Sequence, residues 1–258
     1  MTGEETLRAA LRRLLRRAPI LAALGLVLAA SWGFVAWMTL DMAHPLVRLA
    51  MPMDAAWSWA TAVAVLAMWA GMMFAMMLPS AAPMILAFDT VERGDAGGGG
   101  AAPRTLAFAG GYLLVWVGYS ALAAGAQWEF QASGLLTPMI VSRSDWLTGG
   151  LLALAGLYQW TPLKEACLRH CRTPLGFLMA EWRDGVQGAL AMGLKHGLYC
   201  AGCCWALMLL LFVAGVMNPV WIVFLTVLVA LEKWPVLPAW VARLFGAILI
   251  GAGAAILV

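Results

Sequence analysis

Five stretches of this chain carry no Asp, Glu, Lys or Arg for a membrane's thickness: Pro19 to Leu40, Ala55 to Phe88, Thr105 to Trp128, Trp146 to Leu163 and His196 to Leu231. Each reaches the ~18 apolar residues that make a spanning-helix candidate. Composition agrees, because 64% of the 258 residues are apolar and 11% charged, far from the balance of a soluble domain. The sequence therefore reads as an integral membrane protein of all-α class, a polytopic bundle in a lipid bilayer. A soluble enzyme, a nucleic-acid-binding module, a disordered chain and a collagen-like fibre are excluded. The net charge of +3 describes loops rather than a basic patch, so no nucleic-acid partner is expected.

Proline and charge divide the C-terminal apolar region at Asn218-Pro219 and at Glu232-Lys233-Trp234-Pro235, since both interrupt a lipid-facing helix. Seven spans follow, at 19-40, 57-79, 105-127, 146-163, 191-216, 219-233 and 237-257. The count falls to six if the short sixth segment is re-entrant. With the N-terminus inside, Arg8, Arg12, Arg13, Arg16, Arg17, Arg93, Arg104, Lys164, Arg169, Arg172, Arg183, Lys195, Lys233 and Arg243 lie on the inner side, and only Arg48 and Arg143 lie outside. That asymmetry is the positive-inside signature of a bacterial inner membrane protein. Residues 1-18 place Leu7, Leu11, Leu14 and Leu15 at helical spacing beside five arginines, the pattern of an interfacial helix. Residues 19-258 then form one transmembrane domain. The first apolar run is too long for a signal peptide's core, so an uncleaved anchor is expected. The glycine-rich stretch Asp89 to Arg104 reads as a flexible inner connector.

Three groups of soft ligands stand out. In the fifth span His196, Cys200, Cys203 and Cys204 fall at i, i+4, i+7 and i+8, one helical stripe continued by Met192 and Met208. Thiolates and thioethers favour Cu(I), and thiolates with imidazole can also hold Zn; a buried Cys can equally act as a small hydrophobe. In the inner loop after the fourth span Cys167, His170 and Cys171 share a helical face, and nearby Lys164, Arg169 and Arg172 are expected to lower their thiol pKa values. The second span crowds Met68, Met72, Met73, Met76 and Met77 ahead of Pro79, a stripe that serves as packing unless sulfur ligands face it. Under the stated topology Met76, Met77 and the fifth-span cysteines lie in the same inner half of the membrane. Glu232 joins them at that depth as a charge or proton acceptor, and Lys195, Lys233 or Arg243 could offset excess thiolate charge. On the outer side Asp41, Met42, His44, Met51, Met53 and Asp54 read as a polar turn.

The segments Phe74-Ala-Met-Met-Leu-Pro79-Ser80, Tyr158-Gln159-x-x-Pro162-x-Lys164-x-x-Cys167-Leu-x-x-Cys171-Arg172-x-Pro174, Gly193-x-x-x-Gly197-x-x-Cys200-x-Gly202-Cys203-Cys204-Trp205-x-x-Met208 and Glu232-Lys233 resemble a bacterial family described as predicted metal-binding integral membrane proteins, sometimes labelled copper chaperones. The likeness covers residues 57 to 240. It implies copper handling by Met76, Met77, Cys167, Cys171, Cys200, Cys203, Cys204 and Glu232, with a metal donor or acceptor protein, or a larger membrane complex, as partner. Two other classes stay open: a quinone-coupled thiol oxidoreductase using Cys200-Ala-Gly-Cys203, and an assembly subunit anchored by its tryptophans. No P-loop is present, and neither serine-hydrolase nor paired-carboxylate chemistry finds support.

Overall fold

The computed structural model describes residues 3-53, 55-95, 100-234 and 238-258, with the side chains of 3-16, 95 and 239 outside the description. The chain is 83% helix, and among the described residues the only extended pairing is a single bridge between Leu136 and Ser142. Its helices run in the order α1 (Gly3–Leu40), α2 (Pro45–Ala50), α3 (Trp59–Asp95), α4 (Ala101–Ala132), α5 (Asp145–Tyr158), α6 (Pro162–Arg172), α7 (Pro174–Glu181), α8 (Gly185–Leu209), α9 (Leu211–Ala214), α10 (Pro219–Lys233) and α11 (Ala239–Leu257). Five segments are long and apolar enough to cross a membrane: Arg17–Leu40, Trp59–Gly94, Ala101–Ala132, Gly185–Ala214 and Trp240–Leu257. The expected fourth and sixth spans correspond to α5 and α10, of 14 and 15 residues, shorter than the ~20 that bridge a hydrocarbon core upright.

Helix α1 continues unbroken from residue 3 through Pro19 into the first apolar run. The leucine and arginine pattern that suggested an interfacial helix lies among side chains outside the description. The turn before α2 is closed by His44, whose Nδ1 accepts from the Leu46 amide.

Two expectations about the second span are corrected. The helix does not end at Pro79 and opens no irregular backbone there; α3 passes through Pro79 and Pro83 as far as Asp95. A proline in a helix interior removes one backbone donor and leaves the carbonyl four residues back without its partner, a loss that neighbouring helices can absorb. Ser80 Oγ and Tyr112 Oη both donate to the Met77 carbonyl in this turn. The glycine-rich connector is also shorter than expected. Asp89 and Glu92 are buried in α3, with Arg93 on Asp89 at 2.7 Å, Arg104 on Glu92 at 2.8 Å and Thr105 Oγ1 donating to Asp89. Paired carboxylates are the form in which buried acids are tolerated, and they hold the helix together beyond the apolar run. Within the connector, residues 96-99 lie outside the described residues.

The closest helix pair is α4 with α8. Gly111 faces the Leu190 carbonyl and Gly193 faces the Phe108 carbonyl so closely that a Cβ at either would overlap the opposing backbone. Small residues allow this approach, which replaces the hydrophobic driving force missing between helices in lipid. Replacing Gly193 by Ala is expected to push the pair apart and lower stability by about 1–3 kcal/mol. A fall in the thermal midpoint of the purified protein checks it; an unchanged midpoint refutes the close contact.

Candidate thiol site

Close α4–α8 packing brings four sequence-distant elements onto the cysteine stripe of α8. Cys200, Cys203 and Cys204 are all buried. Their spacing lets Cys203 Sγ and Cys204 Sγ donate back to the Cys200 carbonyl at 3.1 and 3.0 Å. Helix α4 contributes Tyr112, whose Oη lies 3.1 Å from Cys200 Sγ. Helix α10 contributes Lys233, its Nζ 3.0 Å from the same sulfur and 2.8 Å from Ser80 Oγ of α3. Helix α3 also sets Met77 Sδ 3.9 Å from Cys204 Sγ. Finally α6 delivers Cys171, which lies beside Cys200 and Cys203. Four thiols, one thioether, one phenol and one ammonium thus share a single buried volume. Cys200 is its centre, because a lysine and a tyrosine both reach its sulfur.

Helix α6 positions its residues by an orthodox start and a one-sided face. Thr161 caps it, with Oγ1 accepting from the Lys164 amide, and Pro162 occupies the first turn, where its missing donor costs nothing. Cys167 is buried with its sulfur against Gly202, where a Cβ would come within 2.8 Å. Tyr158 Oη donates to the Gly202 carbonyl on the same turn of α8.

The expected activation of the α6 thiols by neighbouring bases does not occur. Burial, with Cys203 nearby, pushes the Cys167 thiol up. The neighbouring Cys200 and Cys203, followed by burial, push the Cys171 thiol well up. The bases are engaged elsewhere: Lys164 Nζ lies 2.6 Å from Glu232 Oε2, and Arg172 donates from Nε and Nη2 to the Glu232 carbonyl at 2.9 and 2.6 Å. Cationic neighbours lower a thiol pKa only when their charge faces the sulfur.

Glu232 belongs to this separate polar lock. Its carboxylate takes Lys164 on one oxygen and Gln159 Nε2 at 2.9 Å on the other, while the adjacent Lys233 points to the thiols. Successive helical residues diverge by about 100°, so one turn of α10 serves two sites. His196 is 3% exposed, its ring 5.7 Å from that of Tyr112, 6.0 Å from Phe108 and 5.4 Å from Phe177. Its Nδ1 has no hydrogen-bond partner. Met76 and Met208 are buried in the core. The sequence reading did not foresee Tyr112; its one signal was a phenol in the middle of an uncharged run, which in lipid needs a partner. Ser80 was legible only as part of a motif.

Among the described residues no three His, Cys, Asp or Glu side chains are spread around a common centre ready to coordinate an ion. The sulfurs are engaged with the backbone, with Lys233 and with Tyr112, and Cys204 Sγ lies 3.9 Å from Met77 Sδ. A soft monovalent ion needs only two or three ligands.

Fold and site together define an all-helical protein with membrane-length apolar helices around a buried cysteine, methionine and lysine cluster. The PpoB2 family model, described as a copper chaperone, matches residues 66–256. The chain belongs to this copper chaperone family. No curated protein matches it, and no solved structure does.

Proposed function

We propose that this chain is a polytopic inner-membrane protein that binds Cu(I) at the thiol cluster in the inner half of its bundle and passes it on by ligand exchange. The observation that carries this reading is the convergence of Cys171, Cys200, Cys203, Cys204 and Met77 on a volume containing one buried ammonium. Sulfur ligands at this density suit a soft ion, and low coordination lets the ion move between neighbours. The charge count favours a monovalent one. Two thiolates around Cu⁺ carry a net negative charge that Lys233 cancels, whereas Zn²⁺ in the same set would leave an uncompensated positive charge in a low-dielectric interior. Met77 and Cys171 complete the ligand set around the α8 cysteines. Cys167 and His196 border it, Met76 supports Met77, and Glu232 acts indirectly by holding α10 against α6.

The topology proposed for this role has the N-terminus inside, with α5 and α10 as short tilted or re-entrant segments between the five long helices. The excess of basic residues on one side supports it. The cluster would then receive copper from the cytoplasmic side.

The test is metal stoichiometry in purified protein together with thiol redox state. Copper retained by reduced thiols, with protons released on uptake and retention weakening as pH falls, is the expected result. A disulfide among these cysteines with no metal would instead establish the quinone-coupled thiol oxidoreductase. Within the metal reading, Lys233→Met is expected to weaken Cu(I) affinity by about 10- to 100-fold, the equivalent of a ~1.5–3 kcal/mol charged hydrogen bond. Competition against a chromophoric Cu(I) chelator measures this, and unchanged affinity would remove Lys233 from the site.

A further inference from the structure

A cavity of about 520 Å³ opens beside the thiol cluster. Its wall includes Pro79 and Pro83 of α3, Cys171 and Arg172 of α6, Lys233 of α10, and Trp234. Three features set its chemistry. First, Cys171 is half-buried where Cys200, Cys203 and Cys204 are buried, so the cavity reaches the cluster at its most accessible sulfur, and Lys233 of the same wall lies 3.0 Å from Cys200 Sγ. Second, among the described residues the charged ones on the wall are Arg172 and Lys233, both cations, with no carboxylate. Glu232, between them in space, faces Lys164 and Gln159 instead. Third, the volume is that of a small-molecule site, within the ~300–1,000 Å³ such pockets occupy, and too small to admit a folded protein's metal-binding loop with its flanks.

We infer that this cavity is the loading port of the thiol cluster, and that it receives Cu(I) as a small anionic thiolate complex. The inference rests on the metal reading above and adds the route and the chemical form of the cargo. An anionic copper bis-thiolate is drawn into an apolar cavity whose charges are both positive, as a charged cleft concentrates its counter-ion. Transfer is ligand exchange at constant oxidation state. The bond from Cu(I) to one carrier thiolate breaks, a bond from Cu(I) to Cys171 Sγ forms, and the Cys171 proton leaves on the released carrier thiol. In a second exchange the bond from Cu(I) to Cys171 breaks, a bond to neighbouring Cys200 or Cys203 forms and that thiol's proton returns to Cys171. The remaining carrier thiolate is displaced by the other of these cysteines and leaves with its proton, so the ion moves inward and Cys171 is free for the next.

The experiment measures loading rates and final copper content of the detergent-purified full-length protein, using Cu(I)–glutathione as the anionic donor, Cu(I)–cysteamine as the cationic one and a copper-loaded soluble metallochaperone as the protein donor. The wild type is expected to load faster from glutathione than from cysteamine by roughly tenfold or more, the lower end of electrostatic steering. Ala230 is also on the cavity wall and carries no ligand atom. Ala230→Trp is expected to slow glutathione loading by a similar factor while leaving final copper content unchanged. Ala230→Leu, which fills less volume, should give an intermediate rate. Normal final content in both variants shows that the fold and the thiol cluster survive. Rates indifferent to Ala230→Trp and to donor charge, or fastest loading from the metallochaperone, overturn the port while the metal site stands. Absence of copper in the wild type from every donor overturns both.

Discussion

Replacing both Cys203 and Cys204 by Ser is expected to reduce retained copper from about one ion per chain to essentially none, since hydroxyl oxygen is a poor ligand for a soft ion. The helix itself should survive. Both thiols already donate to the Cys200 carbonyl at 3.1 and 3.0 Å, and a serine hydroxyl makes the same backbone bond within its own helix. Steric change is small at sites that are 2% and 1% exposed. Loss of copper with an unaltered helical signal and thermal midpoint therefore reports ligand chemistry rather than unfolding. A double variant that keeps its full copper content would show that the stripe is packing or redox machinery, and the metal function would lose its main support.

The second large effect is expected at the polar lock between α6 and α10. Lys164 and Glu232 meet at 2.6 Å with side chains 3% and 7% exposed. Removing one partner from a buried pair leaves an uncompensated charge and costs about 3–5 kcal/mol. Lys164→Met should therefore lower the thermal midpoint sharply, although Gln159 still donates to one Glu232 oxygen. Lys164→Met combined with Glu232→Met should recover most of the loss, because two apolar side chains of similar length remove both charges together. A single variant as stable as the wild type would mean that water reaches the pair and that it contributes no cohesion.

What the sequence could and could not foretell follows from the range of each interaction. The long apolar helices were legible because lipid demands a continuous uncharged run, a purely local property. The α8 stripe was legible because helical spacing alone aligns Cys200, Cys203 and Cys204. Pro79 misled because proline was read as a helix terminator, whereas α3 continues with Ser80 and Tyr112 bonded to the turn before it. Asp89 and Glu92 were assigned to a connector because they follow the apolar run, and the partner of Glu92, Arg104, lies across residues that no local pattern joins. Tyr112 was missed for the same reason: its partner sulfur is 88 positions away. Depth arguments did anticipate that the methionines of α3 and the cysteines of α8 share one level, and Met77 lies 3.9 Å from Cys204. They could not tell which of Glu232 and Lys233 faces the sulfurs, since depth is shared by neighbours and direction is not.

Helix α6 engages other elements at Lys164, Cys167, Cys171 and Arg172, reaching α10 with its first and last contacts and α8 with the two between. These positions are i, i+3, i+7 and i+8, which one helical face accommodates only at this spacing. The three turns therefore act as a ruler. Inserting or deleting one residue between Lys164 and Cys171 would swing the thiol by about 100° while the lysine stayed locked. The interval from that lysine to that cysteine is therefore as much a part of the site as the sulfur itself.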